Sequence, residues 1–519
     1  MFSMSTPFGR MSIFRPVAET TKTDLIVDRL TRAIESGILK NGEKLPGEAH
    51  MAHLFAVSPI TAREALEQLR ADGLVITRRG RDGGSFVVSD PAGNISRLER
   101  SLLHMSTMEL RDYQTYYTTL MFRSAQLAMH NIAHDGRNNL LDTLRTLIAD
   151  LSSDSASAHT DADQPGDTAL SPGYHEMQLH LEIAAATQSP STVNALLELQ
   201  NKLHHLLWLR FTDRNLASTL VGIYRQAEHD LIQRNPKSFE EHILTPINEG
   251  FAWLISRRIA LRCAESGTGH RNAAHADTPE QVAHRIHKMF NAYAVILHQW
   301  DMDVTDAIST SVITKQEFDA LSERLTRPFL EQHPESIGGG LIPSPDFLPD
   351  APWHSSWWTA EHDSHETTTI KPLQVSSNPR SASFYDFTQQ DWWVGPQQAD
   401  GLHITGPYID YICSKEFALT LSRPFYANQR FAGVLGIDLS SKTVEDLADD
   451  QLAALKRPAA VVTGERYVIA STAVQLPCGT FVTDVPSTEA VSVVNCGPLG
   501  PANDTSTTAA RESLTLLTF

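Results

Sequence analysis

Between residues 22 and 39 the apolar positions fall at helical spacing. Ile26, Leu30, Ala33 and Ile34 share one face, with Asp24, Asp28, Arg29 and Glu35 between them. This predicts an amphipathic helix, ended by Gly37 and the Asn41-Gly42 pair. A second helix is predicted from Glu48 to Phe55 on the face Met51, Leu54 and Phe55, and a third from Ile60 to Ala71 on Ala62, Leu66 and Leu69. Ser58 can cap the free N–H groups of the third helix, and Pro59 suits a first helical position. Leu74-Val75-Ile76-Thr77 and Ser85-Phe86-Val87-Val88 flank the tip Arg78-Arg79-Gly80-Arg81-Asp82-Gly83-Gly84, which predicts a two-stranded hairpin.

Two short helices, a tight turn and a ribbon are the layout of a winged helix-turn-helix. In such a unit the start of the second helix meets base edges, and backbone contacts hold it in register. Arg63 is the candidate for base or phosphate recognition, because its fork suits guanine edges and phosphate alike. Arg78 and Arg79 belong to a basic tip suited to lie on the phosphate backbone. The motifs Gly42-x-x-Leu45-Pro46-x-Glu48, then Val57, Ser58, Thr61, Arg63, Ala65, Leu66 and Leu69, then Asp72-Gly73-Leu74-Val75, then Arg78 and Gly80 resemble the GntR family of bacterial transcription regulators, in its FadR-like branch. The resemblance implies that Ser58, Thr61, Arg63, Arg79 and Gly80 touch DNA. Ala49 and Pro59 stand where the family usually has basic residues, so operator sequence or affinity is expected to depart from the family norm.

From Ile95 to about Cys263 the pattern stays helical, with Leu196, Leu199, Leu203, Leu206 and Leu207 recurring at three and four. Residues 152–173 are small and polar and read as an exposed or disordered loop. Glu176 and His180 share one helix face and could bind a metal, although a surface pair or a satisfied histidine is the commoner outcome. This region resembles the FCD ligand-binding bundle of FadR-like regulators. That resemblance implies a divalent metal site, with Glu176 and His180 at its first two positions and His229 as a candidate third ligand. No fourth ligand can be placed, so no metal is assigned, and the bundle is expected to serve dimerisation and transmission.

Residues 264–279 read as a linker, followed by a long helix from Pro279 to Ser311 with Val282, Ile286, Phe290, Tyr293 and Leu297 on one side. Beyond Gly338-Gly339-Gly340 period-2 strands appear at Phe417-Leu419-Leu421 and Phe431-Gly433-Leu435-Ile437, with Asn428-Gln429 as a hairpin turn; Ala459 to Val462 and Tyr467 to Ser471 follow as two more. An antiparallel sheet behind a long helix is predicted. Aromatic residues alternate with acids at Tyr385-Asp386, Asp391-Trp392-Trp393, Tyr408-Ile409-Asp410 and Gly436-Ile437-Asp438. Aromatic faces attract cations by roughly 0.5–2 kcal/mol each, and desolvated carboxylates add charge-assisted hydrogen bonds, so the set suits an amine. Packing of a sheet core is the competing explanation for any one ring. This order of motifs resembles Cache (PAS-like) sensor domains. In the members that bind amino acids, the resemblance places Tyr385, Trp392, Trp393 and Asp438 on the ligand and puts Gln390 at the position of a carboxylate-binding Arg. An amine or other non-carboxylate ligand is implied, with Tyr408 and Asp410 as further candidates. One such module is expected, with residues 491–519 as a flexible tail.

The formal net charge of the 519 residues is −18, yet residues 1–90 carry 12 Lys/Arg against 11 Asp/Glu, so the negative charge lies in the remainder. An acidic body keeps DNA on the wing side. The four cysteines, Cys263, Cys413, Cys478 and Cys496, lack metal-type spacing and read as reduced thiols. No run of 18 apolar residues and no signal-peptide core occur, so a cytoplasmic location away from the membrane is expected.

The expected architecture is multidomain α+β: a winged helix-turn-helix at 1–92, an all-α bundle at 93–263, the linker, and at 280–490 a Cache-like antiparallel sheet with a long N-terminal helix. The expected function is a homodimeric transcription regulator, a repressor, that binds double-stranded DNA without a cofactor and responds to a small-molecule effector. The rivals are a constitutive regulator whose sensor is structural, and a DNA reader fused to an enzyme. Lys is sparse and no phosphate-binding Gly loop occurs, which disfavours the second.

Overall fold

A computed structural model describes residues 22–35, 39, 41–80, 83–88, 91–132, 134–152, 171–269, 276–309, 312–362, 368–381, 384–411, 416–483, 492–501 and 513–519. By its contacts the chain divides into two compact units, residues 1–105 with 109–258, and residues 106–108 with 259–519.

The first unit begins with α1 (Lys22–Glu35), α2 (Glu48–Phe55) and α3 (Pro59–Ala71), followed by β1 (Val75–Arg78) paired antiparallel to β2 (Gly84–Val87). The apolar stripes read from the sequence close on one another: Ile26, Leu30, Phe55, Ala62, Leu66 and Leu69 are all at most 1% exposed. Ser58 Oγ accepts from Thr61 N at 3.1 Å with Pro59 at the first helical position, so the predicted cap starts α3. Next come α4 (Pro91–Leu103), α5 (Thr107–Asn131), α6 (His134–Ser152), α7 (Ser171–Ala186), α8 (Pro190–Trp208), a 3-10 turn at Leu209–Thr212, α9 (Arg214–Gln233) and α10 (Pro236–Gly269). The bundle is knitted by pairs such as Gln126 Nε2 to Glu240 Oε2 at 2.7 Å, between α5 and α10. Of the segment expected to be a disordered loop, Ser152 ends α6 and Ser171–Gly173 open α7, while residues 153–170 lie outside the described residues.

The second unit is built on α11 (Pro279–Ser309) and α12 (Lys315–Gln332). Its larger sheet has the order β5-β4-β3-β8-β7-β6, from β3 (Ser336–Pro343), β4 (Ser356–His362), β5 (Thr368–Pro372), β6 (His403–Ile409), β7 (Phe417–Ala427) and β8 (Arg430–Ser440), with every neighbouring pair antiparallel. A short helix, α13 (Asp391–Ala399), precedes β6, and α14 (Ser441–Ala453) follows β8 directly. One sheet face meets α11 through Leu419, Leu421, Leu435 and Ile437, the strand positions expected to be apolar.

Two expectations are corrected, and the Gly338-Gly339-Gly340 run lies within the fully buried central strand β3, opposite Asp438, Ile437 and Gly436. Glycine is usually depleted from strands, but here a Cβ at Gly340 would come within 2.3 Å of Ser356 O, and one at Gly338 within 2.8 Å of Trp357 Nε1. The expected linker is helical to Gly269, since Ala264-Glu265-Ser266 offers nothing to break α10. The expected flexible tail contributes β11 (Ser492–Pro498) and β12 (Ser513–Thr518) to a second sheet of order β10-β9-β12-β11, with β9 (Ala459–Val462) and β10 (Val468–Ser471). Leu514, Leu516 and Leu517 of β12 are fully buried, which anchors the strand. Cys263, Cys478 and Cys496 are free thiols, and Cys413 lies outside the described residues.

The crowding over β3 predicts that Gly340→Ala lowers the unfolding free energy by about 1–3 kcal/mol, the usual range for an added methylene in a packed interior. Urea unfolding followed by tryptophan fluorescence measures it. An unchanged midpoint would mean that β4 yields without cost.

Candidate functional site

Of the DNA candidates, Ser58, Arg63, Arg78, Arg79 and Gly80 are exposed and Thr61 is half-buried. Ser58 Oγ lies 2.9 Å from Thr61 Oγ1 at the start of α3, and Arg63 Nε is held by Glu67 Oε1 at 3.1 Å, one turn on. Arg70 Nη1 donates to Thr77 Oγ1 at 3.1 Å and ties α3 to β1. Two features were not anticipated. Ile60 is 69% exposed between Pro59 and Thr61, an apolar side chain suited to a thymine methyl group. Phe86 carries cations above it, Arg78 at 4.7 Å and Lys44 at 5.9 Å from the ring centre. Lys44 also bridges to Phe86 along the backbone, which adds a third basic residue to the wing. Gly80 has φ +120°, a conformation open to glycine, at the turn of the hairpin. Arg81 and Asp82 lie outside the described residues.

In the second unit a cavity of about 660 Å³ opens on the sheet face away from α11. Tyr385, Gln390, Trp392, Tyr408, Asp410 and Asp438, all expected at a ligand site, line it together. Trp393 does not. It is 3% exposed and packs edge-on against Phe431 at 5.4 Å and at a tilt to Phe387 at 4.9 Å, so it supports the wall from behind. Trp353, Trp357, Phe384 and Phe387 line the cavity as well, and Trp353 meets Phe384 edge-on at 4.9 Å. Trp353 and Trp357 were not among the residues expected at the ligand site.

The acidic end follows from strand register. Leu419 and Leu421 face α11, so Thr420 between them faces the cavity. Thr420 pairs across the strands with Asp438, and its hydroxyl donates to Asp438 Oδ1 at 2.5 Å. Tyr408 Oη lies 2.8 Å from Thr420 Oγ1 and donates to it, since the single threonine proton is already committed to the carboxylate. Asp410 is placed by its backbone N–H on Glu416 O at 2.9 Å. Asp438 and Asp410 are 4% and 6% exposed. Burial, then the Asp410 charge, pushes the Asp438 pKa up to about 7 against the pull of Thr420. At the other end Asp319 is neutralised by His354 at 2.6 Å and Lys315 at 2.7 Å. No arginine is among the lining residues.

The bundle holds the remaining candidates. Glu176 and His180 are buried, but His229 is exposed and does not join them. Among the described residues no group of three or more His, Cys, Asp or Glu converges on a metal position. Glu176 instead pairs with Arg210 and accepts from the Tyr224 hydroxyl.

Comparison with known proteins agrees with this division. The family model for bacterial regulatory proteins of the gntR family matches residues 22–87. The model for the methyl-accepting chemotaxis protein-like first PDC sensor domain matches residues 323–446. A Mycobacterium gastri protein named as the HTH-type transcriptional regulator RmpR is 32% identical over 266 residues, 50% of this chain and 90% of that protein. Among solved structures, Escherichia coli McbR/YncC is similar over 46% of this chain and 98% of its own, at 14% identity and a TM-score of 0.28. The ligand-binding domain of the Pseudomonas fluorescens chemoreceptor CtaA, solved with L-alanine, is similar over 46% of this chain and 92% of its own, at 13% identity and a TM-score of 0.30. No helix among the described residues is long and apolar enough to cross a membrane.

The buried pair of acids sets a pH dependence. Asp438 holds its proton more tightly folded, at about 7, than its ordinary value of 3.8. Its contribution to stability is therefore full below about pH 4 and is lost as pH rises through 7. The ligand-free protein is expected to lose up to about 4 kcal/mol across that window, three pKa steps at 1.36 kcal/mol each. Melting temperatures from pH 5 to pH 8 measure it. Asp438→Asn should flatten the profile, and an unchanged slope would assign the loss to other groups.

Proposed function

The chain belongs to the gntR family of bacterial regulatory proteins, and we propose that it is a homodimeric repressor released from DNA by an amine. It acts in the cytoplasm, on a short inverted repeat of duplex DNA, and carries out no reaction of its own. The observation that carries the ligand class is the cavity's charge. Asp410 and Asp438 are buried at one end of an aromatic chamber, and no arginine is among the residues that line it. A carboxylate ligand would bring a further negative group to that end. An ammonium group would meet the Asp438 carboxylate there, and the faces of Tyr385, Trp392 and Trp357 suit the cation and the carbon skeleton behind it. Gln390, where the resemblance to amino-acid sensors places an arginine, lines the same cavity and offers an amide in its place.

At the output end Arg63 and Ile60 read the bases, while Arg78, Arg79 and Lys44 hold the phosphates. Ligand changes DNA affinity only by binding the two arrangements of the dimer unequally. A shift in half-site spacing is the form that difference takes in a two-fold reader.

Isothermal titration of the full chain with 2-phenylethylamine, 3-phenylpropionate and phenylalanine separates the ligand classes. The amine should bind, and the carboxylate should not. Asp438→Asn should weaken the amine by at least about tenfold, equivalent to about 1.4 kcal/mol. Preference for the carboxylate, or an indifferent Asp438→Asn, would refute the amine reading.

The DNA end is tested by fluorescence anisotropy on an operator fragment at several salt concentrations. Arg63→Ala should cost about 1–3 kcal/mol on the operator and much less on random duplex. Arg79→Ala should weaken both alike and reduce the slope of log affinity against log salt by about 0.9.

A further inference from the structure

The helical bundle holds a fully buried charge pair at the place where its family resemblance implies a divalent metal. Glu176 is 0% and Arg210 1% exposed; they are bonded to each other, and the Tyr224 hydroxyl donates to the same carboxylate oxygen.

His180 follows Glu176 by one helical turn, and a different chain of bonds holds it. Gln200 Nε2 donates to Tyr117 Oη at 3.0 Å, and Tyr117 Oη lies 3.0 Å from His180 Nδ1. His229 is exposed and takes no part. The residues present therefore do not fit a metal site.

They do fit a cation of another kind. We propose that the Arg210 guanidinium is the resident cation of the bundle, filling the charge role of a divalent metal and making this region independent of metal. The backbone is shaped for it. Gly250 on α10 faces the guanidinium so closely that a Cβ there would lie 2.0 Å from Arg210 Nη1. The Phe211 ring lies under the same group, 4.8 Å from it. The 3-10 turn between α8 and α9 delivers the side chain from inside the fold, since Leu209, Arg210 and Phe211 are all buried. A metal beside Glu176 would have to displace a guanidinium that is 1% exposed and bonded to that carboxylate. This inference is independent of the ligand in the sensor cavity.

The test combines metal analysis with melting curves on the full chain. Purified without chelator, the wild type should carry no stoichiometric metal, and neither EDTA nor added Zn²⁺ should move its melting temperature. Arg210→Met strands the Glu176 carboxylate and should lower the melting temperature by roughly 10 °C. The same variant vacates the space beside Glu176 and should gain a stabilising response to Zn²⁺. Glu176→Gln combined with Arg210→Met removes both charges, and should recover most of the lost stability and show no response to Zn²⁺. Arg210→Lys should lie between the wild type and Arg210→Met. Metal bound to the wild type, a fall on EDTA treatment, or an Arg210→Met variant as stable as the wild type would each overturn the proposal. Should Arg210→Met fail to fold, the wild-type arms and the double variant still decide it.

Discussion

Burying an ionised group without a counter-charge costs several kcal/mol, and the chain meets that cost in both of its units. In the bundle the fully buried Glu176 is met by Arg210 of the same chain. In the sensor unit Asp438 is buried beside Asp410 with no guanidinium to balance it, and the group responds by holding a proton up to about pH 7. The first carboxylate is closed from within. The second faces a cavity, where a proton or an entering cation can meet its charge.

The architecture around Asp438 is arranged so that the acid can be kept there. Its partner Thr420 sits directly across the sheet, and Tyr408 completes a line of donors toward the carboxylate. The central strand β3 contributes glycines opposite Gly436, Ile437 and Asp438, which leaves room for the Trp357 ring over the sheet. A side chain at Gly338 would meet both that ring and the acid, the atoms lying 2.8 and 3.5 Å from the Cβ position. The glycine run, the aromatic wall and the buried acid are thus one design. The opposite face, with Leu419, Leu421 and Ile437 against α11, supplies the apolar burial that holds the sheet in register.

How far this could be read from the sequence differs by region for physical reasons. The winged helix was legible nearly throughout, because caps, helical stripes and a basic hairpin are local signals: Ser58, Pro59 and Leu66 each announce their roles within a few residues. The strands β7 and β8 were legible from their alternation, and that alternation also placed Asp438 on the face opposite Ile437. Trp393 misled because its neighbour Trp392 faces the cavity, and adjacent residues on a short helix such as α13 point different ways. Gly338–Gly340 and β12 were hidden by composition. Glycine ordinarily argues against a buried strand, and β12 is preceded by a run of small polar residues; only the tertiary partners, Trp357 for the one and β9 for the other, overturn that reading. Arg210 was invisible for a different reason. Nothing local distinguishes an arginine that will be fully buried, since its pairing with Glu176 spans 34 residues.

The contrast between Arg210 and Gln390 carries the functional argument furthest. Arg210 settles the charge of Glu176 in the bundle, whereas Gln390 lines the cavity with Asp410 and Asp438 and brings no charge. An arginine at Gln390 could hold a ligand carboxylate, and a bare amine would then lose its advantage. On the amine reading the ligand supplies the positive charge with glutamine there, and its binding competes with the proton on Asp438. Reciprocity then requires that a ligand which expels this proton bind more tightly as pH rises through 7. Occupancy of the cavity thereby becomes a measure of cation concentration against acidity, and a neutral analogue of the same shape has no comparable advantage over water at the acidic end.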